Sequence, residues 1–186
     1  MKRTARPPRR RPRTSRRSPE LRAYLLKLER LRAGRDPIAL LKTGPARFAR
    51  AVRGLTRRQM LRRPARGTWS ILEILGHLHD TEVVYGYRWR LTVAQPGSTL
   101  QDYDQDGWTR ELRHRQADPK RLLVQIAAMR AGSVDLVLRV PRKTWKRAGF
   151  HTARGREPLE RSLRQIAGHD FNHIEQIRTI REKYGW

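Results

Sequence analysis

A chain of 186 residues is long enough for one domain with its own apolar core. Its 43 Lys and Arg against 17 Asp and Glu give a formal net charge of +26, and it contains no cysteine. Disulfides, thiolate metal sites and a cysteine nucleophile are therefore excluded, a cytoplasmic location is expected, and no run approaches the ~20 apolar residues of a membrane span. The charge is spread along the chain: residues 1–20 hold nine basic groups against Glu20, and the remainder still holds 34 basic against 16 acidic groups. Arg16 and Arg17 resemble the start of a twin-arginine export signal, but an amphipathic segment follows where an apolar one would be required. Residues 1–20, rich in arginine and proline and poor in apolar groups, read as a disordered basic tail ahead of a helical domain over 21–186.

The first helix is expected from Glu20 to about Ala33, where Leu21, Leu25, Leu28 and Leu31 recur at helical spacing and Gly34 ends the run. Asp36-Pro37 caps and opens a second helix, which Thr43-Gly44-Pro45 should interrupt before it resumes to about Leu55. An irregular Arg- and Pro-rich connection follows to Gly67. Ser70 and Glu73 have the spacing of a capping box for a third helix that runs to about Ala94. The loop from Pro96 to Trp108 carries Asp102, Asp104 and Asp106, of which the second or third can cap a short helix. The three acids lack the ligand order of an EF-hand. Asp118-Pro119 opens a further helix to about Arg139, and Pro158 opens the last, to about Tyr184. No strand pattern stands out, so the fold class is all-α: a four-helix bundle with an extra N-terminal helix beside it.

Chemistry concentrates in the last helix. His169 and His173 are four residues apart, a spacing that stacks two side chains on one helical face and allows two imidazoles to share a divalent metal. Both lie on or beside the apolar arc of Leu159, Leu163, Ile166, Ile174, Ile177 and Tyr184. Asp170 falls in the middle of that arc, and Glu82 falls in the apolar arc of the third helix. A carboxylate in such a position must be hydrogen-bonded or paired. Each is thus a candidate partner for a ligating histidine, or else half of a buried ion pair with an arginine. His77 flanks the arc of the third helix and His79 points about 160° away from it, so only one of the two can join a site. The wheel does not choose between them. His114 follows a basic turn and is expected in solvent, while His151 lies in a loop near the bundle mouth. Walker A, GxGxxG, GxSxG and HExxH patterns are absent from the sequence.

The segment Thr68-Trp69-Ser70-Ile71-Leu72-Glu73-Ile74-Leu75-Gly76-His77-Leu78-His79-Asp80, then Tyr103-Asp104-Gln105-Asp106-Gly107-Trp108, then Gly168-His169-Asp170-Phe171-Asn172-His173 resembles, in that order, the DinB/YfiT-like proteins of the DinB superfamily. The resemblance covers roughly residues 21–183. It implies a four-helix bundle holding one metal with three histidines, and it selects His77 over His79, to join His169 and His173. Asp170, Glu82 and Asp80 are then the carboxylates near enough in sequence to orient those rings. Zinc, nickel and ferrous iron all suit imidazole. The resemblance further implies a metal-dependent hydrolase or a thiol S-transferase acting on a small molecule, the latter with a low-molecular-weight thiol as cosubstrate, and a homodimer. The competing expectation is a non-catalytic bundle that binds nucleic acid through its basic tail and surface; against it, no aromatic and basic alternation or recognition helix accompanies the charge.

Overall fold

A computed structural model describes residues 18–186; the basic tail expected over residues 1–20 lies outside the described residues up to position 17. Seven α-helices follow in order: α1 Pro19–Arg32, α2 Pro37–Ala51, α3 Arg57–Leu61, α4 Ile71–Ala94, α5 Gln105–Glu111, α6 Pro119–Arg139 and α7 Leu159–Tyr184. The local rules that predict their starts operate as expected. The Asp36 carboxylate accepts from the backbone of Ile38 and Ala39, Asp118 from Lys120 and Arg121, and Ser70 and Glu73 complete both halves of a capping box. Asp104 is the carboxylate that caps α5. Ser18 caps α1, so the first helix begins at Pro19, inside the stretch read as tail.

The four long helices close a ring in which α2 touches α6 and α7, and α4 touches the same two; α1 lies along α7. This is the expected bundle with its N-terminal helix beside it. Gly168 makes that last contact tight, since a Cβ there would stand 2.2 Å from the backbone oxygen of Leu28 on α1.

The core is divided in two. Phe48, Leu72, Leu75, Ile126 and Ile177 belong to one apolar cluster, and Leu41, Trp89, Val134, Leu163 and Ile166 belong to the other. Between them each helix contributes something else: Gly44 on α2, Glu82 on α4, Arg130 on α6, and His169, Asp170 and His173 on α7. Every one of these is buried. A polar layer thus crosses the middle of the bundle.

Arg130 is the centre of that layer and is 1% exposed. Its Nε donates to Glu82 Oε2 at 2.9 Å, its Nη1 to Asp170 Oδ2 at 2.7 Å, and its Nη1 also to the backbone oxygen of Leu41 at 3.2 Å. One guanidinium on α6 therefore ties together all four helices of the ring. This explains why α2 runs unbroken through Thr43-Gly44-Pro45, against expectation. Pro45 has no N–H to give the carbonyl four residues earlier, which is Leu41; Arg130 supplies the missing donor. Gly44 provides the space, because a Cβ there would stand 2.6 Å from Asp170 Oδ2 and 3.0 Å from Arg130 Nη1. Gly44→Ala is accordingly expected to lower stability by about 1–3 kcal/mol through overpacking, read as a shift of the urea midpoint.

Two further departures from expectation are short elements. The connection after α2 holds the single-turn helix α3, capped reciprocally by Thr56 and Gln59. A three-stranded sheet, β1 Thr99–Leu100, β2 Ala148–His151 and β3 Gly155–Pro158, pairs β1 parallel and β3 antiparallel to β2. His151 is on β2, opposite Leu100 and Gly155, and is buried. Strands of two and four residues are too short to print an alternating pattern on a sequence. Among the described residues no helix is long and apolar enough to cross a membrane.

Candidate metal centre

His77 comes from the second turn of α4, and His169 and His173 come from the middle of α7. Their exposures are 1%, 8% and 6%. The Nε2 atoms of His77 and His169 are 3.1 Å apart, and those of His173 and His169 are also 3.1 Å apart. One ring nitrogen from each residue lies within 4.8 Å of the other two.

A single proton can bridge only one pair of nitrogens, so a third nitrogen at the same point would face a neighbouring lone pair. A cation resolves this. Three nitrogens each about 2.1 Å from a zinc-like ion, at angles near tetrahedral, stand roughly 3 to 3.5 Å from one another. The donor set fits a divalent metal in spacing, in chemistry and in protonation. Burial, followed by the neighbouring His173 ring, lowers the pKa of His77 to about 3. Burial likewise lowers His173 to about 4, and burial with the other two rings takes His169 well below its ordinary value. All three imidazoles are neutral at pH 7, the form that ligates a metal.

The walls hold the rings in place. Trp69, one residue before the α4 cap, lies 4.8 Å from the His77 ring and 6.4 Å from the His173 ring, centroid to centroid. It is fixed by its own Nε1 donating to Asp106 Oδ1 at 2.9 Å. Gln176 Oε1 is 3.0 Å from His173 Nδ1, so that ring is oriented by an amide one turn on. In the sequence Trp69 appears only as part of the Thr68–Asp80 motif with no role of its own, and Gln176 is signalled only by its spacing of three from His173.

The carboxylates expected to orient the rings have other partners. Glu82 and Asp170 are both engaged by Arg130, so the buried ion pair is what these two residues form. Asp80 Oδ2 lies 2.7 Å from His114 Nε2. His114, expected in solvent, is 6% exposed because its ring lies where Gly76 has no side chain. The Nδ1 atoms of His77 and His169 are buried without a hydrogen-bond partner among the described residues. Packing, rather than a carboxylate, orients these two rings. His79 stays outside the cluster, with Nδ1 3.7 Å from Asp80 Oδ1. His79→Ala is expected to leave metal content unchanged where His77→Ala abolishes it, as measured by elemental analysis.

The sequence profile of the DinB superfamily matches residues 40–177 of this chain. The chain belongs to the DinB superfamily. Among its DinB relatives, the Bacillus subtilis protein named "Putative metal-dependent hydrolase YfiT" is 24% identical over 151 residues, 80% of this chain and 84% of its own length. A similarly named protein of Bacillus mycoides is 22% identical over 142 residues, 76% of this chain and 82% of its own. The solved structure of YfiT, described as an unusual four-helix bundle, superposes with a TM-score of 0.76 over 95% of this chain and 94% of that one, at 22% identity. The mycothiol-dependent maleylpyruvate isomerase shares the fold with a TM-score of 0.57, over 72% of this chain and 57% of its own, at 10% identity.

Proposed function

We propose that His77, His169 and His173 hold one divalent metal, zinc, nickel or ferrous iron, and that this DinB protein is a metal-dependent hydrolase of a small-molecule substrate. The observation that carries the reading is the convergence of three neutral imidazoles inside a buried layer, with His169 Nε2 3.1 Å from the Nε2 atoms of both His77 and His173 and one nitrogen from each ring within 4.8 Å of the others. Three neutral nitrogen donors leave a divalent ion a remaining position, at which it can polarise a water or an electrophilic substrate atom. The protein's own part is to keep the rings unprotonated through burial, to fix them with Trp69 and Gln176, and to exclude bulk water with α1. The hydrolase name borne by relatives matched over most of their length supports hydrolysis as the reaction. The fold shared with a mycothiol-dependent isomerase supports keeping transfer to a thiol as the second reaction class, and a chain without cysteine must receive any thiol from a cosubstrate.

The discriminating experiment runs ester and amide hydrolysis panels beside a thiol-consumption assay with an electrophile, using protein loaded with each metal in turn. Metal-dependent product release without thiol supports the hydrolase. Turnover that requires a thiol replaces it with the transferase, and no metal-dependent turnover in either arm removes the catalytic proposal.

A further inference from the structure

We propose that Arg88 anchors a carboxylate of the substrate in a small cavity that reaches His169; this rests on reading the histidine triad as the reacting centre. Three arginines are buried among the described residues, Arg32, Arg88 and Arg130. Arg32 pairs with Glu29, and Arg130 pairs with Glu82 and Asp170. Arg88 is 3% exposed, yet it forms no ion pair, and every Asp and Glu of the chain is among the described residues. Its hydrogen bond goes to the backbone oxygen of Gln101, and its guanidinium carbon lies 5.0 Å from the centroid of the Tyr85 ring. A buried guanidinium without a carboxylate in direct contact is costly unless an anion completes it.

The position of Arg88 makes that anion part of the substrate. Arg88 is eleven residues beyond His77 on α4. Eleven residues at ~100° each return to within about 20° of the same face, roughly 16 Å along the axis, and the long Arg88 side chain, leaning toward the N-terminus, covers part of that distance. Thr81, Tyr85, Arg88, Tyr103, Arg154 and His169 line a cavity of about 50 Å³, roofed by Tyr24 and Leu28 of α1. That volume suits a group the size of a carboxylate or roughly two to four waters. The other charges around it are accounted for. Arg154 donates to Glu157 at 2.6 Å and to the Tyr85 hydroxyl at 2.9 Å, which leaves the Tyr85 proton free to point at an anion. Asp102 is half-exposed at the rim, with its Oδ1 3.7 Å from His151 Nε2. Glu157, hydrogen-bonded to Arg154, acts on Arg88 only through space, so Arg88 is the arginine in the lining without a carboxylate in direct contact. The substrate class is therefore a small molecule bearing a carboxylate at one end and its reacting bond near the histidines.

The test uses the full chain, metal-free and metal-loaded, with metal measured on every sample. Thermal shift and calorimetry follow sodium acetate and sodium benzoate, with acetamide, benzamide and sodium phosphate as comparison ligands at matched ionic strength. The carboxylates, but not the amides, are expected to stabilise the native chain saturably. Arg88→Met should weaken this at least tenfold, while Arg178→Met, which removes an exposed charge, should not. Because Arg88 has no carboxylate in direct contact, Arg88→Met without ligand should melt no lower than the native chain, and its metal content should be unchanged. Carboxylate binding that persists in Arg88→Met, stabilisation by phosphate alone, absence of saturable binding, or a large loss of melting temperature in the variant would each overturn the proposal. Absence of metal in the native chain would overturn the metal reading while leaving the metal-free carboxylate result to be read independently.

Discussion

Arg130→Met is expected to destabilise the protein by about 3–5 kcal/mol at pH 7, the cost of leaving buried carboxylates without their cation. A domain of this size has roughly 5–15 kcal/mol in total, so the variant should be partly unfolded at physiological temperature. The same change leaves the Leu41 carbonyl, already deprived of its helical donor by Pro45, without a partner. The pH dependence distinguishes this cause from a simple packing loss. Burial raises the pKa of both Glu82 and Asp170 even with Arg130 present to oppose it, and without Arg130 the rise is larger. For a carboxyl raised in the folded state, the stability it contributes is complete below its unfolded value near 4 and is lost as pH climbs through the folded value. The deficit of Arg130→Met should therefore shrink on acidification toward pH 5, and Glu82→Gln with Asp170→Asn in the same chain should recover part of it at pH 7. A deficit that is constant across pH would contradict the account.

Acid should unfold the metal-free protein steeply. His77, His173 and His151 have pKa values lowered to about 3, 4 and 4, burial being the first cause in each, and His169 is lowered further. A histidine depressed in the folded state contributes stability that is present above its unfolded value near 6.5 and is lost as pH falls below it. By pH 5 the unfolded chain holds nearly four more protons on these side chains. Each further pH unit then costs up to about 5 kcal/mol, at 1.36 kcal/mol per proton. An unfolding midpoint between about pH 6 and 4 is expected by circular dichroism. Adding zinc or nickel should move the midpoint to lower pH, because a ligand that binds only the native state stabilises it by about 2.7 kcal/mol at a hundred times its dissociation constant. A metal-free protein that remains folded at pH 3 would show that these imidazoles are not held neutral.

The bundle was legible because its signals are local. Asp36-Pro37, Ser70 with Glu73, and Asp118-Pro119 fix helix starts through hydrogen bonds that span three residues, and apolar spacing fixes the buried faces. The pair His169 and His173 is a local signal of the same kind. His77 was not separable from His79 by periodicity, and only the family resemblance chose it. What the sequence concealed is what depends on contacts far along the chain. Glu82 and Asp170 announced a buried cation, but nothing short of the fold distinguishes Arg130 from the many other arginines. Gly44-Pro45 reads as a break because its remedy is a side chain 85 residues away. His114 follows a basic turn, and its burial is decided by Gly76 on another helix. That Arg88 has no carboxylate in direct contact is likewise visible only once every acidic residue has been placed.

Elemental analysis of the purified native chain beside His169→Ala, after loading with each divalent metal and removal of excess, addresses the centre of the account. One equivalent of metal in the native chain and almost none in a folded His169→Ala is the predicted result. Equal metal in both, or none in the native chain after loading, would contradict it.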